Sequence, residues 1–242
     1  RKTDYRYDAH GSMLNLKASP ASFNLRWDHR DMIRHIDLGG GGKAWYQYDS
    51  GKQRTRKHIT RQPTSIDTER TVKEERVYLG GFERYRRYTD DPNDPIEEIE
   101  SHHLFDGEER VLLVDDVLKT DRKHADGTAY RTKPLRRYQY NNHLGSVCIE
   151  LDEKSGIVSY EELHPYGTSA YRVMKSGIEA LAKRYRFTGM ERDEESGLSC
   201  HGARYFSPSL GRWVSADPSG VEDGLNRYRY CQASPVRLLD RD

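Results

Sequence analysis

The feature that most constrains this chain is a short unit, an aromatic residue followed by Asp and a turn, that recurs along its first quarter. Tyr7-Asp8-Ala9-His10-Gly11, Trp27-Asp28 and Tyr48-Asp49-Ser50-Gly51 put the aspartates at positions 8, 28 and 49. A period of about twenty residues marks an array of one small supersecondary element. Around each unit the residues alternate, so Tyr5 and Tyr7, or Tyr46 and Tyr48, share one face of a strand. The Asp side chain bonds to nearby backbone, and the following Gly offers a positive φ for a tight turn. Each unit therefore predicts a β-hairpin. A lone hairpin is marginal in water, so the hairpins must lie side by side.

Composition points the same way. Charged residues make up 33% of the 242, the AVILMFWYC set only 34%, and Tyr (17) far outnumbers Phe (5) and Trp (3). Such a chain cannot fill a thick aliphatic core and must bury amphipathic aromatics in thin layers. Helical character is confined to residues 175–182, where Gly177 interrupts it, which leaves no βαβ unit. The expected fold class is mainly β, a strip of antiparallel hairpins that curls. Glu75 to Tyr85 reads as a further hairpin with Gly80-Gly81 at its turn, Val111 to Val114 as an apolar strand, and residues 118–133 as a polar connection. Gly39 to Gly42 reads as a flexible loop without the context of a phosphate loop.

The 40 basic and 39 acidic residues are interleaved, with a net charge of +1, so nothing draws the chain to nucleic acid or an anionic membrane. No apolar run approaches the roughly 18 residues of a spanning helix. The chain opens on Arg1 with no visible signal peptide, as expected of a piece of something larger. Cys148, Cys200 and Cys231 form neither a paired framework nor a zinc motif. Residues 90–95, acidic but without EF-hand spacing, read as a solvated turn. No metal or other cofactor is expected.

Two stretches carry a resemblance. Arg137-Tyr138-Gln139-Tyr140-Asn141-Asn142-His143-Leu144-Gly145-Ser146-Val147 is one. The other runs from Arg184 to Asp240, aromatic runs closed by Gly, Pro, Asp or Asn, through Gly197-Leu198, Ala203-Arg204-Tyr205-Phe206-Ser207-Pro208 and Asp217-Pro218-Ser219-Gly220. Together they resemble the core signature of Rhs and YD-repeat proteins, including B and C components of insecticidal Tc toxin complexes. The resemblance implies a YD-repeat-like shell segment over residues 1–134 and an inward-curling core domain over 135–242. It also implies a hollow shell, secreted or otherwise delivered, whose partners are the remaining shell and an enclosed C-terminal toxic segment.

The same resemblance implies a self-cleaving aspartic peptidase with catalytic Asp217 and Asp240, cutting just beyond residue 242. Two facing carboxylates cannot both ionise at close range, so they share a proton and one activates water. Trp213, Val214, Leu238 and Leu239 are expected to lower the local dielectric. The chain departs from the pattern at Ser234-Pro235, where Asn-Pro is usual, and at Arg241; Asp223 and Asp242 are further carboxylates nearby. An Asp before Pro is also a plain turn former. A non-proteolytic binding module remains the alternative function, with Arg84-Tyr85-Arg86-Arg87-Tyr88 and Arg184-Tyr185-Arg186 as stacking candidates for a sugar or protein.

Overall fold

The computed structural model describes residues 4–16, 24–61, 72–89, 91–121, 123, 133–174, 183–222 and 224–240. Twelve strands form one antiparallel sheet whose spatial order is the chain order. They are β1 (Leu25–Trp27), β2 (Ile33–Gly39), β3 (Gly42–Tyr48), β4 (Arg54–Arg61), β5 (Val72–Leu79) and β6 (Phe82–Tyr88). There follow β7 (Glu97–Asp106), β8 (Glu109–Lys119), β9 (Leu135–Asn141), β10 (Val147–Leu151), β11 (Ile157–Leu163) and β12 (Ser169–Met174). A second sheet holds β13 (Glu191–Asp193), β14 (Leu198–His201), β15 (Arg204–Ser207) and β16 (Arg212–Trp213). The expected antiparallel strip is thus the fold, and no α-helix occurs among the described residues. The helical expectation for 175–182 lies outside them. Pairing runs unbroken past residue 135, with Leu112 opposite Tyr138 between β8 and β9.

One turn recurs. Asp8, Asp28, Asp49 and Asp152 each give their backbone N–H to the carbonyl four residues on and accept an N–H at their own carbonyl from the residue three on. In each, the carboxylate Oδ1 accepts the amide four residues ahead, at 2.7–3.0 Å. Asn142 does the same with its amide oxygen. The left-handed residue is the fourth of the unit, Gly11, Asp31, Lys52 or Ser155, so Lys52 at φ 63° takes the role expected of Gly51. A non-Gly residue there costs about 1–2 kcal/mol, which the carboxylate bonds offset. Gly39-Gly42 also differs from expectation. Gly39 pairs with Gly42, and Gly40 and Gly41 sit at φ 58° and 81°, a tight two-residue turn in place of a flexible loop.

The small sheet packs on the strip through the face that carries Glu191, Asp193, Leu198, Cys200 and Tyr205. Tyr46 and Tyr48 do share a face, and both reach Tyr205: the Tyr46 ring lies 6.0 Å from its ring and the Tyr48 hydroxyl 2.8 Å from its hydroxyl. Beside this apolar contact the interface is ionic. Arg54 spans Asp193 (2.7 Å) and Glu191 (2.5 Å), Lys57 holds Asp193 (2.7 Å) and Glu195 (3.3 Å), and all of these side chains are buried. Further along the strip Ser101, Asp115, Arg137, Glu150 and Ser159 form a transverse, buried polar ladder. The charged composition is accommodated by satisfying buried charges in pairs, the condition under which such groups are tolerated.

Both stacking candidates are engaged by carboxylates, the second of them inside the fold. Arg184 lies on Glu83 and Glu191, Tyr185 donates to Glu83, and Arg186 pairs with Glu161 and Glu194. That corrects the expectation of an exposed Arg184-Tyr185-Arg186 surface. Arg84, Arg86 and Arg87 are matched across the β6–β7 register by Glu100, Glu98 and Glu97, and Arg76 lies 4.7 Å over the Tyr85 ring.

Asp193→Ala removes the buried carboxylate that lies 2.7 Å from both Arg54 and Lys57, and the expected loss is about 3–5 kcal/mol. Glu98→Ala on the outer face is expected to cost under about 1 kcal/mol. Urea unfolding followed by tryptophan fluorescence checks both.

Candidate active site

The other face of the small sheet carries Ser199, His201, Arg204, Phe206 and Trp213, since His201 pairs with Arg204 and Phe206 with both Ser199 and Trp213. The tail covers this face. Beyond Gly224 the chain runs back beside β16, with the Trp213 amide bonded to the Tyr228 carbonyl (3.0 Å) and the Asp217 amide to that of Arg227 (2.9 Å). Tyr228 donates its hydroxyl to the Gly11 carbonyl. A Cβ on Gly11, at φ 86°, would stand 2.7 Å from that hydroxyl, so glycine is required where the first hairpin meets the tail. Tyr230 and Cys231 then seal a buried cluster with Phe187, Phe206 and Trp213.

Three consecutive non-Gly residues, Cys231, Gln232 and Ala233, take left-handed φ values of 44°, 49° and 62°. Each such residue costs about 1–2 kcal/mol. This left-handed turn reverses the tail, and His143 donates Nε2–H to the Val236 carbonyl at 2.9 Å to hold the returning segment. Asp240 is thereby brought back to β15.

The two aspartates singled out in the sequence meet on one guanidinium. Arg204 Nη1 lies 2.7 Å from Asp217 Oδ2, and Nη2 lies 3.5 Å from Asp240 Oδ2. Arg204 is 3% exposed and its partners 15% and 16%. Its guanidinium lies 4.2 Å over the Trp213 ring. Asp217 is also a turn former: Oδ1 accepts the Ser219 amide (2.8 Å) and hydroxyl (2.6 Å), and Oδ2 is left for the arginine. Partial burial pushes its carboxyl up, but the Ser219 bonds and then Arg204 outweigh this and hold it below the usual carboxylate range. A guanidinium favours the ionised form of a carboxylate that it bonds, and that of Arg204 lies closer to Asp217 than to Asp240.

Trp213 and Val214 are buried as expected, but Leu238 and Leu239 are 42% and 37% exposed. They do not lower the dielectric, because the tail is an open coil held by His143 and not a packed strand. Asp223 and Asp242 lie outside the described residues. Arg204 was not among the expected site residues. Its only signal in the sequence is a guanidinium set inside an otherwise apolar and aromatic run, Ala203-Arg204-Tyr205-Phe206.

Behind Arg204, His201 stands in an aromatic enclosure of Phe206, Trp213 and Tyr230. Burial, and then the neighbouring guanidinium, push its pKa from 6.5 down to about 3. The folded protein therefore keeps this ring neutral while the unfolded chain protonates it below pH 6.5. Its contribution is fully present above that pH and is lost as pH falls from 6.5 toward 3, at about 1.4 kcal/mol per unit. Urea midpoints at pH 4, 5, 6 and 7.5 are expected to show this slope, and His201→Phe to flatten it.

The chain is 33% identical to the toxin subunits YenC1 and YenC2 of Yersinia entomophaga, over 100% and 99% of its length and 24% of theirs. It spans about a quarter of these curated relatives. The crystal structure of TcdB2-TccC3 matches 98% of this chain at a TM-score of 0.81 and 30% identity, using 11% of that chain. No family model matches.

Proposed function

The chain belongs to the Rhs and Tc toxin-subunit family, and on that premise we propose that it is a closing segment of a toxin shell, in which residues 135–242 form the inward-curling core domain after a hairpin wall over 1–134. The shell, delivered outside the producing cell, encloses a toxic segment that follows this chain, and Asp217 and Asp240 release it by a single-turnover self-cleavage beyond residue 242.

The observation that carries the reading is the Arg204 bridge between the two carboxylates. It supports a division of roles. Asp217, closely bonded by Arg204 and Ser219, is the ionised partner; Asp240, at the longer distance, is the one that holds the proton. Asp217 takes a proton from water as the water oxygen bonds to the scissile carbonyl carbon, and Asp240 gives its proton to the carbonyl oxygen. Collapse of the tetrahedral adduct re-forms the carbonyl, breaks the C–N bond and delivers a proton to the departing amine. The turn reading of Asp217 does not compete with this role, because each uses a different carboxylate oxygen.

The full-length protein with its downstream sequence is expected to cleave itself after folding without added protease. Asp217→Asn and Asp240→Asn should each stay full length yet folded, and Asp223→Asn should cleave normally. Intact mass and gel analysis read the result. Cutting of the Asp217→Asn protein at the same bond would refute the peptidase reading and leave the shell role alone.

A further inference from the structure

Behind the two carboxylates, one small region gathers buried nitrogen atoms that have no hydrogen-bond partner among the described residues. They are Nδ1 and Nε2 of His201, Nε of Arg204 and Nε1 of Trp213. The three side chains are neighbours on one face of the small sheet. His201 and Arg204 are directly opposite across β14–β15, a position that sets Cβ atoms about 4.5–5.5 Å apart. The Arg204 guanidinium lies 4.2 Å over the Trp213 ring, and the His201 ring stands at 89° to that ring with centroids 5.2 Å apart. A buried polar atom left unmade costs about 1–3 kcal/mol, so such atoms clustered in one place point to something that binds them.

Their chemistry identifies it. Arg204 Nε and Trp213 Nε1 can only donate, while a neutral imidazole offers one donor and one acceptor. The cluster therefore needs a species that both accepts and donates. A water accepts from Arg204 Nε and Trp213 Nε1 and donates to one ring nitrogen of His201, the other ring nitrogen pointing away from it; an anion would leave the imidazole acceptor unmet. The site also stands where it matters mechanically. Arg204 already turns Nη1 and Nη2 toward Asp217 and Asp240, so a bond at Nε adds a further hold on the guanidinium plane.

We propose that His201, Arg204 and Trp213 hold one structural water, and that through it His201 is a positioning residue that keeps the guanidinium aimed at Asp217 and Asp240. The water site stands by itself, whereas the positioning role rests on the self-cleavage reading. The low pKa fits the geometry, because only a neutral ring keeps the acceptor nitrogen that the water needs. If His201 served only aromatic packing, phenylalanine would replace it without effect on the carboxylates.

The test uses the full-length protein with its downstream sequence. His201→Phe is expected to melt close to the parent, since it exchanges one hydrogen bond to the water for apolar packing in an aromatic enclosure, and yet to slow self-cleavage about tenfold or more, the rate equivalent of one hydrogen bond to a charged group. His201→Asn, which can both accept and donate, is expected to recover part of the rate despite poorer packing. A loss of rate without a matching loss of stability supports the proposal; a His201→Phe protein that cleaves at the parental rate overturns the positioning role. High-resolution diffraction decides the water independently of cleavage and of how the variants fold. Density at hydrogen-bond distance from both Arg204 Nε and Trp213 Nε1 supports it. No density there, or a bromide anomalous peak after a bromide soak, overturns it. If the parent does not cleave at all, the peptidase reading falls while the diffraction result still stands.

Discussion

The interaction on which the rest of this structure depends is the buried clasp in which Arg54 and Lys57 of the strip grip Glu191 and Asp193 of the small sheet. An extended sheet of hairpins has two faces and no interior of its own, so something must lie on it before it has a core. Here that layer is a four-stranded sheet whose contact face is partly carboxylate. Buried ion pairs are seldom more stabilising than apolar packing of the same volume, but an unmatched one is heavily destabilising. The clasp therefore acts mainly on specificity. Any shift of the small sheet along the strip would strand charges in the interior, so only one docking position is tolerated.

With that face docked, the opposite face of the same hairpin is placed to organise the tail. Tyr205 points into the strip and its neighbours Arg204 and Phe206 point away, by the alternation of a strand. One four-residue strand thus couples the core to the candidate site. Phe206 and Trp213 receive Tyr230, at ring separations of 4.3 and 5.3 Å, and the left-handed turn at Cys231–Ala233 redirects the chain so that Asp240 returns to Arg204. Strain of that sort persists only where the surroundings over-determine it and is concentrated at functional places. The aspartate turn of the wall reappears in part at Asp217, whose Oδ1 binds the Ser219 amide while Oδ2 faces the arginine. The same carboxylate thus forms a turn with one oxygen and meets a guanidinium with the other.

Much of this was legible in the residues, for local reasons. Alternation and turn chemistry are properties of neighbours in the chain, and so the strip, its hairpins and the aspartate turns could be read from spacing alone. Even there, the left-handed position was misplaced at Gly51, because the carboxylate can hold Lys52 in that conformation when the sequence rule favours glycine. The site aspartates were readable only through a family resemblance. Nothing in the spacing of positions 217 and 240 says that they meet.

What the sequence by itself determined is the element type and its order: antiparallel strands, neighbour on neighbour, with polar and aromatic residues in alternate positions. What only the tertiary structure decided is which of those faces would be buried, and against what. The Arg184-Tyr185-Arg186 run looks like a solvent-facing stacking surface until Glu83, Glu191, Glu161 and Glu194 are found around it. Arg204 looks like any strand arginine until the tail folds back and sets a second carboxylate on it. Both outcomes depend on the electrostatic environment that distant segments create, and a charge carries no mark in the sequence of the partner it will meet.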